Sequence, residues 1–270
     1  MEKKLILLTN DDGISSLGLL SLRKELYNVG NVFCIAPGNP SSAISKALTF
    51  HKPIRFSTLT FEDGTTAYST TGAPADNVLL SFHLLKGKPD IVVSGINYGD
   101  NSSIHSILTS GTCAAAFESA FNGVPAIAFS VDVEHDVQLI EQKGINFNYV
   151  AMISSEIVKL TLEKEWPKDL AFLNVNFPTK VTEHTKVYVT SPTLYKYNNY
   201  MIEKDDPRGL PYLWLWGEMK KTFPKGTDTW AVKHKNGISI TPIGLNLHEK
   251  TDQSLNLSCF IQEQVKDILI

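Results

Sequence analysis

Two adjacent carboxylates offer the clearest chemistry in this sequence. Asp11 and Asp12 follow a short apolar run and lie in the turn Asn10-Asp11-Asp12-Gly13. Neighbouring carboxylates repel each other, so this juxtaposition lowers stability unless a cation neutralises them. Their oxygens are hard ligands that suit Mg²⁺, Mn²⁺ or Ca²⁺. The pair therefore indicates a divalent cation site. The alternative is a plain turn in which one carboxylate caps the following helix.

A second candidate site lies at the start of an Ala-rich helix predicted over 110–122. Ser110, Gly111 and Thr112 open this helix. A helix N-terminus presents free N–H groups and a positive dipole end, which together bind anions such as phosphate. Gly111 permits close approach of the backbone, and the two hydroxyls add donors. The alternative is an ordinary helix cap. A metal beside a phosphate site would describe metal-assisted phosphoryl transfer.

Both sites depend on the elements that position them. Apolar runs without polar alternation predict buried strands, and leucine spacing or alanine content predicts helices between them. Such a pattern is typical of a parallel sheet covered on both faces, and right-handed crossovers then give a Rossmann-like, doubly wound α/β fold. The predicted strands are 4–9, 32–36, 90–94, 125–130 and 172–177, and the predicted helices are 19–29, 74–85, 110–122 and 146–163.

The polar clusters of the first half share one edge of this predicted sheet. Ligands of open parallel sheets bind outside the carboxyl ends of the strands. The clusters follow strand ends or, in one case, precede a helix, at 10–13, 39–42, 94–101 and 109–112. Asn97 in the third cluster adds another oxygen donor near Asp11 and Asp12. We therefore expect these clusters to meet in one site.

Other segments predict a more irregular second half. Extended segments at 51–56 and 65–69 flank Asp63-Gly64, a hairpin turn dipeptide. Strands are predicted at 186–190, 213–217 and 237–241 without helices between them, and the polar stretch 195–209 indicates a protruding arm. We expect a single domain over 1–270, with an α/β core to about 180, a β-rich appendage and arm to about 250, and a C-terminal helix over 251–270.

Composition excludes several classes of protein. The 270 residues carry 25 basic and 28 acidic side chains, a net charge of −3, which argues against non-specific binding of nucleic acid. Three scattered cysteines exclude a disulfide framework and a thiolate zinc site. The apolar runs are too short for a signal peptide or a membrane span, so we expect a cytoplasmic protein. Gly-x-Ser-x-Gly and Walker-type motifs are absent, which disfavours acyl transfer and NTP hydrolysis.

The same residues belong to a longer pattern. Residues 6–13, Ile-Leu-Leu-Thr-Asn-Asp-Asp-Gly, resemble the N-terminal signature of the SurE family, the survival-protein nucleotidases. Further blocks match in the same order: Ala36-Pro37 through Ser42 and Ser45, Gly72-Ala73-Pro74-Ala75-Asp76, Asp90 through Asn97, Ser110-Gly111-Thr112 with Ala114-Ala115-Ala116, Leu173-Asn174-Val175-Asn176, Asp206-Pro207-Arg208-Gly209 and Gly226-Thr227-Asp228. Together they span nearly the whole chain.

This resemblance implies an enzyme and its site residues. It implies a phosphomonoesterase that hydrolyses nucleoside 5′-monophosphates, with 3′-nucleotides and short polyphosphate as further candidate substrates. It also implies one divalent cation per subunit, Mg²⁺ or Mn²⁺. The implied metal ligands are Asp11, Asp12, Ser42 and Asn97, and the implied phosphate-binding residues are Asn101, Ser110, Gly111 and Thr112. The implied catalytic residues are Asp11, Asp12, Asn101 and Ser110.

The resemblance further implies a homodimer or homotetramer that exchanges C-terminal arms, with no stable nucleic-acid or membrane partner. Three alternatives stay open at this point. A receiver domain also carries an acidic pair after its first strand, but it needs a later Asp and a Lys that these strand ends lack. A haloacid-dehalogenase-type phosphatase requires Asp-x-Asp instead of adjacent carboxylates. A nucleotide-binding protein without turnover is the third.

Overall fold

A nine-stranded mixed sheet forms the centre of the molecule. The computed structural model describes residues 3–133 and 145–247, together with Ser258, Cys259, Ile261 and Gln262. The strands of these residues are β1 Leu5–Thr9, β2 Asn31–Pro37, β3 Phe56–Thr60, β4 Thr66–Thr70, β5 Ile91–Tyr98, β6 Ala126–Val131, β7 Phe172–Phe177, β8 Val187–Val189, β9 Tyr197–Asp205, β10 Pro211–Met219 and β11 Ile238–Ile243. The helices are α1 Leu17–Leu26, α2 Pro74–Leu85, α3 Ile104–Thr109, α4 Gly111–Phe121, α5 Phe147–Leu162 and α6 Asp228–Lys235.

The strand order confirms the predicted doubly wound architecture. The sheet runs β3-β4-β2-β1-β5-β6-β7-β11-β8, and the six strands from β4 to β7 are parallel. After β1 the chain adds β2 on one side and later adds β5 on the other. The order therefore reverses between β1 and β5, and the carboxyl ends of these two strands border the crevice where such folds bind ligands.

Apolar side chains cover both faces of the sheet. Ile6 and Leu8 of β1 belong to a buried cluster that includes Leu19 of α1 and Val150 of α5. Leu7 points to the other face and joins a second cluster with residues of α2 and α4. Complete burial of each such side chain contributes roughly 1.5–3 kcal/mol. The two apolar layers fix the position of β1, and they therefore also fix the position of the turn that follows it.

Most predicted elements of the first half are confirmed. Helix α2 and strand β7 have the predicted bounds, and the hairpin around Asp63-Gly64 forms as β3 and β4. Two elements differ most from the prediction. Strand β3 spans Phe56–Thr60 and not 51–56, and β5 continues to Tyr98 instead of ending at residue 94. Gly95 permits this extension, because a Cβ there would lie 2.3 Å from the carbonyl oxygen of Phe129 on β6. Helix α1 spans Leu17–Leu26, so it ends three residues before the predicted end at residue 29.

The last third differs more from the sequence-based expectation. Strands β8 and β11 add to the main sheet, and helix α6 lies between β10 and β11, so the expected absence of helices there was wrong. The segment predicted as an arm, 195–209, contains β9, which pairs with β10 in a separate antiparallel hairpin. Apart from four residues, the predicted C-terminal helix over 251–270 lies outside the described residues.

Helices of membrane-spanning length and apolarity do not occur in the described part of the chain.

Candidate active site

Asn10 shapes the turn that presents the two carboxylates. Its side-chain amide donates to the carbonyl oxygen of Gly13 at 3.0 Å and to Ser16 Oγ at 2.7 Å. Its Oδ1 accepts from the backbone N–H of Gly13 at 3.2 Å. Asn10 is completely buried and serves the turn itself. The turn thus leaves Asp11 and Asp12 in the crevice between β1 and β5.

Asp11 is buried against the first turn of α4. Its side chain accepts a hydrogen bond from the Thr112 hydroxyl. The close approach requires Gly111, because a Cβ there would lie 2.7 Å from Asp11 Cβ and 2.8 Å from Asp11 Oδ2. Burial raises the pKa of Asp11, and hydrogen bonds from Thr112 and from the Gly111 backbone offset only part of this effect.

Asp12 connects the turn to β5. Its Oδ2 accepts from the backbone N–H of Tyr98 at 2.8 Å. Burial, followed by the charge of Asp11, raises the pKa of Asp12 to about 7. Neither carboxylate is paired with a cationic side chain within the described residues. The structure therefore brings two like charges together in a partly desolvated place, which is unfavourable without a cation.

Ser42 and Asn97 add two neutral oxygens. The loop before Ser42 is tied to Asp11, because the backbone N–H of Ser41 donates to the Asp11 carbonyl oxygen at 2.7 Å. The Asn97 amide group donates to the carbonyl oxygen of Gly99 at 2.5 Å, and its Oδ1 accepts no hydrogen bond from the described residues. Both side chains line the same cavity as Asp11.

This donor set fits a hard divalent cation. It combines carboxylate, hydroxyl and amide oxygens, and it offers neither thiolate nor imidazole. A third Asp, Glu, His or Cys does not complete a cluster with the carboxylates in the part of the chain that the structure describes. The four predicted metal ligands thus match the chemistry of Mg²⁺ or Mn²⁺, while their role stays a prediction.

Two predicted phosphate-binding residues are held firmly at the cavity wall. The backbone N–H of Asn101 donates to Asn176 Oδ1 at 2.7 Å, and the Asn101 side chain donates to Ser130 Oγ at 2.9 Å. Ser110 caps α4, because its Oγ accepts from the backbone N–H of Cys113 at 3.1 Å. Capping was one alternative for Ser110, yet the residue also lines the cavity.

The predicted residues converge on one cavity of about 260 Å³. Asp12, Gly111 and Thr112 do not line it, and they contact or support the residues that do. In this arrangement the Thr112 hydroxyl orients Asp11. The predicted residues that line the cavity are Asp11, Ser42, Asn97, Asn101 and Ser110.

A buried charge network, which the sequence patterns did not predict, forms another part of the cavity wall. Lys196 Nζ lies 2.7 Å from Asp100 Oδ2 and donates to the Asp100 carbonyl oxygen at 2.7 Å. Lys233 pairs with Asp132 and lies 3.9 Å from Asp100 Oδ1. Burial would raise the pKa of Asp100, but the ammonium groups of Lys196 and Lys233 outweigh it and hold that pKa below its usual range. Asp100 and Lys196 are 96 residues apart, so local spacing carries no signal for this pair.

Asp228, from the matched block Gly226-Thr227-Asp228, anchors this wall. Its carboxylate accepts from the backbone N–H groups of Ser103 at 2.7 Å and of Thr193 at 2.8 Å. The residue is completely buried. It therefore joins the segment after Asn101 to the segment that carries Lys196.

Comparison with known proteins agrees with the pattern of sequence blocks. The profile of the family described as Survival protein SurE matches residues 6–199. A protein named 5′-nucleotidase SurE from Thermofilum pendens is 39% identical over 241 residues, which cover 89% of this chain and 90% of that protein. The protein of the same name from Thermococcus gammatolerans is 38% identical over 247 residues, 92% of each chain.

A solved structure extends the similarity to the fold. The crystal structure of the SurE protein from Aquifex aeolicus superposes with a TM-score of 0.77 at 33% identity, covering 96% of this chain and 99% of that one. The resemblance predicted from the sequence blocks is thereby confirmed. By sequence over most of its length and by fold, the chain belongs to the SurE family.

Proposed function

We propose that the protein is a metal-dependent phosphomonoesterase that hydrolyses nucleoside 5′-monophosphates to nucleoside and phosphate. One observation carries the proposal. Two adjacent carboxylates, the buried Asp11 and the half-buried Asp12, lack a cationic partner among the described residues, and Asp11 lines a cavity that the N-terminus of α4 also borders. The relatives named 5′-nucleotidase support the choice of substrate.

The predicted ligands suit one divalent cation per subunit, Mg²⁺ or Mn²⁺. Asp11, Asp12, Ser42 and Asn97 would hold it through oxygen atoms. When bound, such an ion lowers the pKa of a coordinated water and neutralises charge on the phosphoryl group. Asp11 is oriented for this task by Thr112, and Asp12 is oriented by the backbone of Tyr98.

The remaining residues position the phosphoryl group. Ser110 and the N–H groups at the start of α4 supply donors and a positive dipole end. Asn101 is fixed by its contacts with Ser130 and Asn176, so it presents a rigid wall. Lys196 is the only cationic side chain that lines the cavity among the described residues, and its ion pair with Asp100 fixes the ammonium group in place.

The proposal extends to several finer points. Nucleoside 3′-monophosphates and short polyphosphate are further candidate substrates, which the resemblance of the sequence blocks implies. A dimer or tetramer that exchanges C-terminal arms and a cytoplasmic location remain predictions from the sequence. The family assignment removes the receiver domain and the haloacid-dehalogenase-type phosphatase as alternatives, which leaves nucleotide binding without turnover.

A phosphate-release assay with Mg²⁺ or Mn²⁺ distinguishes turnover from binding alone. The wild-type protein should release phosphate from nucleoside monophosphates, and chelation of the metal should abolish the activity. Asp11→Asn should lower kcat/KM by roughly 100- to 1,000-fold, because several kcal/mol of charge stabilisation are lost. The metal-free variant should unfold at a higher temperature than the metal-free wild type, because one of two buried like charges is removed.

The exposed carboxylate of Asp169 provides the control. Asp169→Asn should change neither phosphate release nor the unfolding temperature. Wild-type-like turnover of Asp11→Asn in metal-replete buffer would contradict the assigned role, and absence of turnover in the wild type with every nucleotide would leave binding as the function.

A further inference from the structure

A second cavity lies beside the candidate active site and shares one wall with it. Its volume is about 360 Å³, within the roughly 300–1,000 Å³ typical of small-molecule sites. Ser41 lines this cavity and Ser42 lines the catalytic one, so the loop 38–42 separates the two. The hydrogen bond from the Ser41 N–H to the Asp11 carbonyl oxygen fixes that loop relative to the carboxylates. The two cavities therefore keep a constant mutual position.

Phe56 supplies an aromatic surface in the second cavity. Its side chain is 48% exposed and lines the cavity wall. The ring contacts the edge of Tyr68 with centroids 6.0 Å apart, and Tyr68 in turn stacks on Phe33 at 5.0 Å. The row of rings supports Phe56 from within the sheet and leaves part of its surface open. A supported, half-exposed ring is a suitable stacking surface for a nucleobase.

Polar side chains without internal partners surround this ring. The guanidinium of Arg55, the amide of Asn39 and the hydroxyls of Ser57 and Ser69 all border the cavity. None of these four side-chain groups forms a hydrogen bond with another described residue, so each is available to a ligand. Arg is also a planar group that stacks on bases and donates to their acceptor atoms.

We propose that this second cavity binds the nucleoside part of the substrate, with the base on Phe56 and with Arg55 and the hydroxyls contacting the base edge and the ribose. The inference rests on the proposed function, because a nucleoside monophosphate carries its phosphate and its base at opposite ends. With the phosphate beside Asp11 and Ser110, the nucleoside extends past the loop 38–42. The loop 38–42 thus lies between the phosphate, which reacts, and the nucleoside, which the second cavity recognises.

The test compares two substrates that differ in the recognised end. Adenosine 5′-monophosphate carries a nucleoside, whereas glycerol 2-phosphate carries only a small alcohol. Phe56→Ala should lower the ratio of their kcat/KM values about tenfold or more, because stacking of one base on an aromatic side chain contributes on that scale. Phe56→Tyr should retain the ratio, and Arg55→Met should lower it.

The neighbouring residue Phe50 supplies a matched control. It is 80% exposed and does not line the cavity, so Phe50→Ala should leave the ratio unchanged. Thermal unfolding of each variant checks that the fold is intact. A ratio that is unaltered in Phe56→Ala, or equal losses with both substrates, would overturn the inference.

A binding measurement separates this inference from the proposed function. Calorimetric titration with adenosine, which has no phosphate, should show binding to the wild-type protein and binding about tenfold weaker to Phe56→Ala. This result would support the nucleoside site even if neither ester were hydrolysed, in which case the proposed function alone would fail. Hydrolysis of the nucleotide without detectable adenosine binding, and without an effect of Phe56→Ala, would contradict the inference alone.

Discussion

Lys196 and Asp100 form an ion pair that water hardly reaches. The exposed fractions of the two side chains are 4% and 5%, and the charged atoms lie 2.7 Å apart. Loss of one member of such a buried pair typically costs about 3–5 kcal/mol, because the other charge stays desolvated without a partner. The pair also connects the loop next to Asn101 with the first residue before β9. Because both residues line the cavity, loss of the ion pair should disturb the wall of the candidate active site as well as the stability of the protein.

Lys196→Met should lower the free energy of unfolding by about 3 kcal/mol at pH 8. In the wild-type protein the pKa of Asp100 is held low, so the stability from this pair is present above about pH 4, the unfolded value, and is lost only on further acidification. In the variant only the longer contact with Lys233 opposes the effect of burial, so the pKa of Asp100 should rise and the carboxyl group should take up a proton more readily at pH 5 than in the wild type. The loss should therefore be smaller at pH 5 than at pH 8, as measured by urea denaturation at both values.

Two further variants make this result specific. The double substitution Lys196→Met with Asp100→Asn should recover part of the stability at pH 8, because the stranded charge is gone. The exposed lysine Lys164 serves as control, and Lys164→Met should change little at either pH. An equal loss for Lys196→Met at both pH values would show that lost packing, and not the weaker pairing of the Asp100 carboxylate, causes the destabilisation.

Residue patterns predicted one side of the site and not the other. Asp11 and Asp12 are adjacent in the chain, and Ser110 to Thr112 open a recognisable helix, so local spacing reveals them. The ion pairs that the sequence did not reveal join Lys196 to Asp100 and Lys233 to Asp132. Each pair depends on the tertiary arrangement of the last third, which local spacing does not encode.

Helix α4 and the turn that follows β1 meet more closely than side chains usually allow. The helix contributes both the proposed phosphate site at its N-terminus and the hydroxyl that donates to Asp11. The contact exists because position 111 has no Cβ. Fit between these two elements therefore sets the geometry of the carboxylates, and a small change in their separation should act directly on catalysis.

Gly111→Ala should impair both stability and activity. The added Cβ would stand under 3 Å from Asp11 and force the helix or the carboxylate to move. Overpacking of this kind costs typically 1–3 kcal/mol, and a displacement near 1 Å in a catalytic group lowers the rate on the order of 100-fold. Gly87→Ala is the matched control, because a Cβ there meets no atom within 4 Å. Phosphate release and thermal unfolding measure both effects, and wild-type-like kinetics of Gly111→Ala would contradict the expected role of the contact.

Helices and strands were predicted accurately where their own sequence carries a clear pattern, and they were missed where it does not. Strand β7 is almost entirely buried and α2 carries a proline at its first turn, so both have clear boundaries in the sequence. Helix α6 was missed because its polar sequence has little apolar periodicity, and only part of it is buried. Strand β9 was missed because nearly all of its residues are exposed, so neither of its faces shows an apolar alternation.

The hairpin formed by β9 and β10 gives the whole molecule an exposed apolar surface. Tyr212, Leu213, Trp214, Leu215 and Trp216 are each at least 40% exposed, and they point alternately to the two faces of the hairpin. An isolated two-stranded hairpin is only marginally stable in water, and large exposed apolar patches mark interaction surfaces. The arrangement supports the proposed oligomer, in which a second copy of the chain covers the hairpin.

If the proposed oligomer forms through the hairpin, Leu213→Glu combined with Leu215→Glu should convert it to a monomer. The two side chains are 62% and 63% exposed and lie two residues apart on one face of the hairpin. Burial of each leucine contributes roughly 1.5–3 kcal/mol, so the double variant should raise the dissociation constant at least about 100-fold. Size-exclusion chromatography with light scattering measures the mass of the assembly.

Lys204→Glu, on the facing strand, is the control. It changes the net charge by the same two units as the double variant and should leave the mass unaltered, because it removes no apolar surface. A monomeric wild-type protein, or a double variant with the wild-type mass, would show that the hairpin is not the contact between subunits.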